Sequence, residues 1–180
     1  MKSTGQPRLL VALKIVIVAT NCLLVLQFLL GMIVNLFADI PFDQIDVTGG
    51  SFVEKTGIAL GYARTSPILA LQLHWLNASL LIVASITMLI LGVIAHQKVV
   101  WILALALALI LTVATVSGAA FIAYAGSNYY SFSMATAFLI AAILAVILLF
   151  VIFSRKKMQI PRENIRREPV IERSSTEVAN

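Results

Sequence analysis

Residues 99–123 read VVWILALALALILTVATVSGAAFIA, a stretch without a single charged side chain. An α-helix rises about 1.5 Å per residue and the hydrocarbon core of a bilayer is about 30 Å thick, so about 20 apolar residues cross it. The quoted stretch exceeds that length. It therefore predicts a transmembrane helix, which we name TM3.

The composition of the whole chain agrees with this interpretation. Of its 180 residues, 61% are hydrophobic and only 12% are charged, and the mean hydropathy is +1.00. Ordinary soluble domains are about 45–50% apolar and about 25% charged. The sequence therefore predicts an integral membrane protein, with no room between its apolar segments for a separate soluble domain.

Three further apolar runs complete a predicted bundle of four spans over residues 1–153. TM1 covers 11–37, an outer loop covers 38–67, TM2 covers 68–95 and TM4 covers 132–153. TM1 is longer than the apolar segment of about 7–15 residues in a signal peptide, so we expect it to be retained. Because only HQK separates TM2 from TM3, these two should be antiparallel neighbours. The predicted fold is all-α, an integral membrane four-helix bundle in up-down-up-down order.

The outer loop contains one segment with strand character, IDVTGGSFV at 45–53. Short β-prone pieces lie on both sides of Gly49 and Gly50, and a Gly-Gly pair between such pieces is typical of a hairpin turn. The segment therefore predicts a β-hairpin lying over the bundle.

The distribution of basic residues predicts the orientation. With four spans, one side of the membrane carries Lys2, Arg8, Lys14, Lys98, Arg155, Lys156 and Lys157, and the other side carries Lys55 and Arg64. Cytoplasmic ends of membrane helices are enriched in Lys and Arg, so both termini are expected to be cytoplasmic. The net charge of +5 then reflects positions beside the membrane, and nucleic acid is not an expected partner.

Residues 154–180 form a polar, basic tail without apolar periodicity, which predicts a mostly disordered cytoplasmic segment. Its basic residues are expected to contact the anionic headgroups of membrane lipids or an acidic surface of a partner subunit, at about 1 kcal/mol for each residue near the surface. The residues assigned to this contact are Arg155, Lys156, Lys157 and Arg162.

Small residues repeat at helical spacing in TM3 and TM4. Ala137, Ala141 and Ala145 recur every four residues, as do Ala114 and Gly118. Small side chains let helix backbones approach closely in a membrane, so both stripes are candidate helix interfaces. Ala-rich helices also produce this spacing by chance, which is the alternative.

The segment LQLHWLNASLL at 71–81 places an imidazole and an amide inside TM2. His74 and Asn77 are three residues apart and share a helix face. His74 is about six residues from the outer end of the span, which predicts a position in the outer leaflet. An ionisable residue within a span is costly and is by default a hypothesis about function. The alternative is a neutral His74 that donates a hydrogen bond to Asn35, Ser133 or a backbone carbonyl.

Asn35 in TM1 and Met134 in TM4 are expected at the depth of His74. Neutral imidazole is an axial ligand of haem, and a methionine thioether is the second ligand in some cytochromes. The sequence therefore predicts a site for haem b formed by His74, Met134, Asn77 and Asn35, with His74 as the metal ligand. His96 cannot share it, because the helix carries that residue about 33 Å further, to the opposite membrane surface.

This arrangement resembles one four-helix half of a haem A synthase, or a small b-type membrane cytochrome, in which ligand histidines project from the outer ends of the second and fourth helices. LHWLNASLLI at 73–82 matches the second-helix position with His74, and SFSMATAFLI at 131–140 occupies the fourth-helix position. There the chain has Met134 instead of a histidine, and an apolar residue replaces the acidic residue that precedes the second-helix histidine by one turn.

Two further segments, LGMIVNLFADIP at 30–41 and SGAAF at 117–121, resemble small uncharacterised four-helix membrane proteins of prokaryotes. This resemblance implies the plasma membrane of a prokaryote as the location, and it implies no activity.

The sequence leaves three functions open. A non-catalytic accessory subunit of a larger membrane complex, respiratory or oxidoreductase, would have other membrane subunits as partners and fits the small size and short loops. A b-type haem protein for electron transfer is the second, and a small transporter or a lipid- or quinone-binding protein is the third. No Ser/His/Asp triad, phosphate-binding glycine loop or HExxH motif occurs in the sequence, so an enzyme is the less expected class.

Overall fold

The structure, a computed structural model, describes residues 6–45 and 50–154. Within these ranges it contains five α-helices and a short 3-10 helix, and no β-strand. The α-helices are α1 (Gln6–Phe37), α2 (Phe52–Thr65), α3 (Leu69–Ile94), α4 (Lys98–Ala123) and α5 (Asn128–Ser154), and the 3-10 helix covers Phe42–Gln44. The tail predicted after residue 154, with its expected lipid contacts at Arg155, Lys156, Lys157 and Arg162, lies outside the described residues.

Four of these helices, α1, α3, α4 and α5, are long and apolar enough to cross a membrane. Between 22% and 28% of the most apolar window of each is buried inside the protein, so most of its apolar side chains face outward. A continuous apolar exterior of this kind belongs in lipid rather than in water. The prediction of an all-α protein with four membrane-length helices is confirmed.

The four long helices pack tightly at one end of the bundle. Fully buried side chains there include Ile17 of α1, Met88 of α3, Leu107 of α4 and Leu148 of α5. In lipid, apolar burial does not distinguish one helix pairing from another, since the tails are as apolar as Leu. Close packing of these side chains therefore stabilises the arrangement.

The predicted stripe of small residues on α5 lies inside the bundle. Ala137, Ala141 and Ala145 are each no more than 5% exposed, and α5 packs mainly on α4. Where Ala145 brings α5 close to α1, Asn21 Nδ2 donates a 3.3 Å hydrogen bond to the Ala145 carbonyl oxygen. The stripe thus allows the close approach that the spacing predicts.

The outer loop contains a helix, and the predicted β-hairpin is wrong at its second half. Ser51 is the N-cap of α2, and Phe52 and Val53 form its first turn; residues 46–49 lie outside the described residues. The Ser51 hydroxyl accepts a 3.3 Å hydrogen bond from the Glu54 backbone N–H. Ser-x-x-Glu is the sequence of a capping box, so a helix start could have been predicted here.

Helix α2 packs across one end of the bundle, which we name the α2 end. Its buried residues Ala59 and Ala63 belong to an apolar cluster with Leu71 of α3 and with Ala119 and Ile122 of α4. It packs mainly on α4 and α3. The α2 end is therefore covered on the side of α3 and α4.

The chain reverses after α3 and after α4 through Schellman motifs. After α3, the Gln97 N–H donates a 2.8 Å hydrogen bond to the Gly92 carbonyl oxygen, and His96 has φ +52°. After α4 the equivalent hydrogen bond is also 2.8 Å, and Ala125 has φ +51°. In this motif the left-handed residue permits the hydrogen bond that satisfies the last helical carbonyls. These short turns bring consecutive long helices alongside each other.

The helix ends differ from the predicted spans mainly at the starts of α1 and α5. Helix α1 begins at Gln6 rather than 11, and α5 begins at Asn128 rather than 132. Tyr129 and Tyr130 therefore lie in the first turn of a helix, where the sequence predicted a connection. Both helices are extended by residues that hydropathy alone excludes from a span.

Candidate functional site

A cavity of about 610 Å³ lies inside the bundle at the α2 end. Residues of all five α-helices and of the segment between α1 and α2 line it, and we name it the α2-end cavity. Pockets for small molecules have volumes of about 300–1,000 Å³. The buried residues Leu81 and Leu111 close the cavity toward the tightly packed end of the bundle.

Small residues create the space. Gly31 of α1, Ala78 of α3, Ala114 and Gly118 of α4 and Ala135 of α5 all line the cavity. Protein interiors are close-packed, so a larger side chain at these positions would occupy the volume between the helices. The stripe predicted on α4 as a helix interface thus borders the cavity.

The polar groups on the cavity wall carry no permanent charge. They belong to Gln27 and Asn35 of α1, His74 of α3, Thr115 of α4 and Ser131 of α5. Among the described residues that line the cavity, none is Asp, Glu, Lys or Arg. The wall therefore suits a ligand that forms hydrogen bonds without carrying a charge.

His74 is positioned by a chain of three side chains, Asn77, Gln27 and His74, which we name the amide–imidazole cluster. Gln27 Nε2 lies 3.0 Å from His74 Nε2 and 3.3 Å from His74 Nδ1. Gln27 Oε1 accepts a 2.7 Å hydrogen bond from Asn77 Nδ2, which also donates to the Leu23 carbonyl oxygen at 3.0 Å. Because Asn77 binds the amide oxygen of Gln27, the amide NH2 group faces the imidazole.

The cluster determines what His74 offers to the cavity. A neutral imidazole has one acceptor nitrogen and one N–H donor, and both ring nitrogens lie within 3.3 Å of Gln27 Nε2. Whichever ring nitrogen accepts from the Gln27 amide, the other carries the proton, and an amide NH2 group cannot accept a hydrogen bond from it. Within the part of the chain that the structure describes, His74 forms hydrogen bonds only with Gln27. Its N–H is therefore free to donate to a ligand.

Asn77, a predicted cofactor-binding residue, lies behind Gln27 and does not line the cavity. It is 3% exposed, and its Oδ1 is buried without a hydrogen-bond partner among the described residues. Leaving a buried polar atom unpaired costs about 1–3 kcal/mol. The structure thus gives Asn77 the role of orienting Gln27 rather than of touching a ligand.

Gly31 allows the backbone of α1 to approach the imidazole. A Cβ on Gly31 would lie 3.3 Å from His74 Cε1 and 3.7 Å from His74 Nδ1. Gln27 and Gly31 are four residues apart and share the face of α1 that is turned toward His74. Neither residue was among the site residues predicted from the sequence. Their spacing of four residues was visible in the sequence, but only the packing of α1 on α3 shows that both residues lie beside His74.

Met134 and Asn35 line the same cavity as His74. The Met134 Sδ atom would lie 3.2 Å from a Cβ on Gly118, so the thioether packs against α4. Asn35 is exposed at the edge of the cavity. Three of the four predicted cofactor-binding residues therefore line one cavity, each from a different helix; their role in binding a cofactor stays a prediction.

Ser133, an alternative partner predicted for His74, instead has its Oγ 3.0 Å from Ser117 Oγ of α4. Among the described residues, no group of three or more His, Cys, Asp or Glu side chains is placed to hold a metal ion. Ligation of haem by His74 and Met134 stays a prediction.

Aromatic side chains form much of the remaining wall. Phe28 of α1 stacks on Phe138 of α5 with ring centroids 6.3 Å apart, on the side toward the packed core. Phe42 of the 3-10 helix meets Phe121 of α4 edge to face at 5.9 Å. Trp75, next to His74 on α3, also lines the cavity. The cavity wall thus combines aromatic side chains with its polar groups.

The cavity opens sideways between α1 and α5. All of its exposed lining residues belong to these two helices: Phe28, Met32 and Asn35 on α1, and Ala135 and Leu139 on α5. The lining residues of α2, α3 and α4 are buried or half-buried. Because the exterior of the long helices is apolar, the opening faces the region that lipid would occupy.

Comparisons with protein-family models, with curated proteins and with solved structures each find no match. The resemblance to haem A synthases and to small prokaryotic membrane proteins therefore rests on the sequence pattern alone. The function is inferred from the cavity itself.

Proposed function

We propose that this protein binds a membrane-soluble ligand, with an apolar body and a small uncharged polar head, in the α2-end cavity. One observation carries the proposal: among the described residues that line the cavity of about 610 Å³, none is charged and those that are exposed lie on α1 and α5. A ligand dissolved in the bilayer reaches such a site without crossing water.

The amide–imidazole cluster supplies the contact for the polar head. The N–H of His74 donates to an oxygen of the ligand, while Gln27 and Asn77 hold the imidazole in place. The apolar body lies against the small and aliphatic lining residues and leads to the opening between α1 and α5. A buried donor without an acceptor costs about 1–3 kcal/mol, so a bound acceptor removes that cost.

Ala114→Leu tests the proposal by filling the cavity from α4. We expect the amount of lipid-soluble ligand that co-purifies per mole of protein in nanodiscs to fall about tenfold, because overpacking a close-fitting site costs about 1–3 kcal/mol. Solvent extraction followed by mass spectrometry measures it. Val113→Leu is the matched control, since Val113 is 49% exposed on the outer face of the same helix.

Two results would contradict the proposal. One is native protein, with the helicity expected from circular dichroism, that contains no lipid-soluble ligand and takes none up from added lipid extract. The other is an unchanged amount of ligand in folded Ala114→Leu protein.

A protein that binds haem b is a second candidate function, favoured because His74 and Met134 share the cavity wall. The test is a reduced-minus-oxidised absorption spectrum of protein purified with its lipid. A haem signal that is lost in His74→Ala and kept in His96→Ala would support this function, and a flat spectrum from folded protein would contradict it.

We also propose how the bundle lies in the membrane: up-down-up-down, both termini in the cytoplasm, and the α2 end outside, in the plasma membrane of a prokaryote. The positions of the basic residues support this, since Lys14 and Lys98 lie at the opposite end from Lys55 and Arg64 of α2. Lys14 Nζ is 5.5 Å from the ring centroid of Phe153, near the end of α5. Assembly with other membrane subunits, as an accessory component, stays a prediction that co-purification tests.

A further inference from the structure

The amide–imidazole cluster presents donors to the cavity rather than acceptors. Gln27 Oε1 is bound by Asn77 at 2.7 Å, and one ring nitrogen of His74 accepts from the Gln27 amide, which lies within 3.3 Å of both. The groups that remain are the N–H of His74 and the second hydrogen of the Gln27 amide. This end of the cavity therefore complements a ligand atom that accepts hydrogen bonds, such as a carbonyl oxygen.

The wall around these donors suits a flat conjugated ring. The side chains of Trp75, Phe28 and Phe138 line the cavity with the cluster, and Phe42 and Phe121 line it near α2. Aromatic side chains bind flat π-systems by offset stacking and by edge-to-face contacts, at about 0.5–1.5 kcal/mol for each pair beyond area burial. A saturated head group of the same size would be stabilised only by the burial of its apolar surface.

The uncharged cavity wall and the position of the opening restrict the class of ligand further. A fatty acid or a phospholipid carries an anionic group, and no Lys or Arg lies among the described residues of the cavity wall. The exposed lining residues Met32 and Leu139 flank the opening between α1 and α5. A long apolar tail attached to the ring can leave through this opening and remain in the bilayer.

From these features we infer that the α2-end cavity binds a quinone, whose ring carbonyl accepts hydrogen bonds from His74 and Gln27 and whose tail leaves between α1 and α5. The inference rests on the proposed function, and it names the class of ligand for the same site.

The two tryptophans of the chain make the test specific. Trp75 lines the cavity, whereas Trp101 packs against Gly92 at the other end of the bundle, where a Cβ on Gly92 would lie 3.1 Å from its backbone nitrogen. Trp101→Phe leaves Trp75 as the reporter inside the site. Trp75→Phe leaves Trp101, which reports only on quinone dissolved in the surrounding lipid.

The experiment titrates decyl-benzoquinone into phosphatidylcholine nanodiscs that contain each variant, and it records tryptophan fluorescence. We expect saturable quenching in Trp101→Phe protein and only a shallow, linear decrease in Trp75→Phe protein. Adding His74→Leu to the Trp101→Phe protein should weaken binding about five- to tenfold, because it removes one hydrogen bond to the head. Adding His96→Asn, at the far end of α3, should leave binding unchanged.

The controls separate the ligand class from the site. Decyl glycerol has the same chain and an alcohol head. The quinone inference is overturned if decyl glycerol competes as well as the quinone, or if the quinone quenches Trp75 only linearly. In either case the proposed function stands. If extraction also finds no ligand in the cavity, both fail. Gln27→Leu is the second variant, for use if His74→Leu protein does not fold. Unchanged quinone affinity in folded Gln27→Leu protein would overturn the inference.

Discussion

At the scale of single residues, His74 is accommodated inside a membrane helix by partners on a neighbouring helix. Gln27 lies 3.0 Å from one ring nitrogen and is itself bound by Asn77 at 2.7 Å. Interhelical hydrogen bonds of this kind stabilise membrane proteins by only about 0.6 kcal/mol on average. The cluster contributes less to stability than to the position of the imidazole, whose N–H has no acceptor among the described residues.

Gly31→Ala tests whether the close approach of α1 positions the imidazole. The added Cβ would lie 3.3 Å from His74 Cε1, so the ring must shift by a few tenths of an ångström. We expect ligand affinity to fall about three- to tenfold, since hydrogen bonds weaken with misalignment, while the protein still folds. Ligand retention in nanodiscs measures the effect.

The matched control is Gly57→Ala, because a Cβ on Gly57 of α2 would meet nothing within 4 Å. It should leave ligand retention unchanged and raise the helix stability by about 0.5–1 kcal/mol. Equal loss of ligand in the two variants would show that the position of His74 is not the cause.

At the scale of elements, the short segments between the long helices shape the site. Ser51 and Glu54 start α2, which covers the cavity with Ala59 and Ala63 on the side of α3 and α4. The segment between α1 and α2 contributes Phe42, so the cavity is closed near α2 by residues outside the four long helices. None of the described residues outside the long helices covers the side between α1 and α5, where the exposed lining residues lie.

Ala125→Gly tests the strain in the turn after α4. Ala125 has φ +51°, a conformation that costs an L-residue roughly 1–2 kcal/mol and glycine almost nothing. We expect the free energy of unfolding to rise by about 0.5–1 kcal/mol, with a higher Tm measured in detergent. Ala106→Gly, inside α4, should lower it by a similar amount, and a lower Tm in Ala125→Gly protein would contradict the prediction.

At the scale of the whole molecule, the bundle has a tightly packed end and an open end. Buried side chains such as Leu107 and Leu148 fill the space among the four helices at the packed end, whereas Gly31, Ala114 and Gly118 leave it unfilled at the α2 end. The same four helices therefore provide a tightly packed base and a cavity whose exposed lining residues lie on α1 and α5.

Labelling of introduced cysteines tests the proposed orientation. In a Cys22→Ser background, Thr65→Cys lies at the end of α2 and Ser154→Cys at the end of α5, and both positions are exposed. A membrane-impermeant maleimide should label Thr65→Cys in intact cells and Ser154→Cys only after lysis, because α2 is expected outside. The reverse pattern would invert the orientation. Labelling of both in intact cells would contradict the three spans, α3, α4 and α5, that separate the two positions.

The sequence by itself determined the four long helices and the polar character of one of them. Whether a segment enters a membrane depends on the summed transfer free energy of its own consecutive residues, a local property that 99–123 displays directly. The capping box at the start of α2 is equally local. The predicted hairpin is wrong after Gly50 because this helix start prevails over the β propensity of the residues that follow. His74, Met134 and Asn35 could be placed at a common depth by counting residues from the helix ends.

The tertiary structure alone decided which residues meet. Gln27 lies 47 residues from His74 and 50 residues from Asn77 along the chain, and no pattern in the sequence pairs them. In lipid, hydrophobicity does not select the rotation or the partner of a helix, so packing of small residues and a few hydrogen bonds make that selection. The cavity, its opening between α1 and α5, and the contact of His74 with Gln27 all follow from that packing.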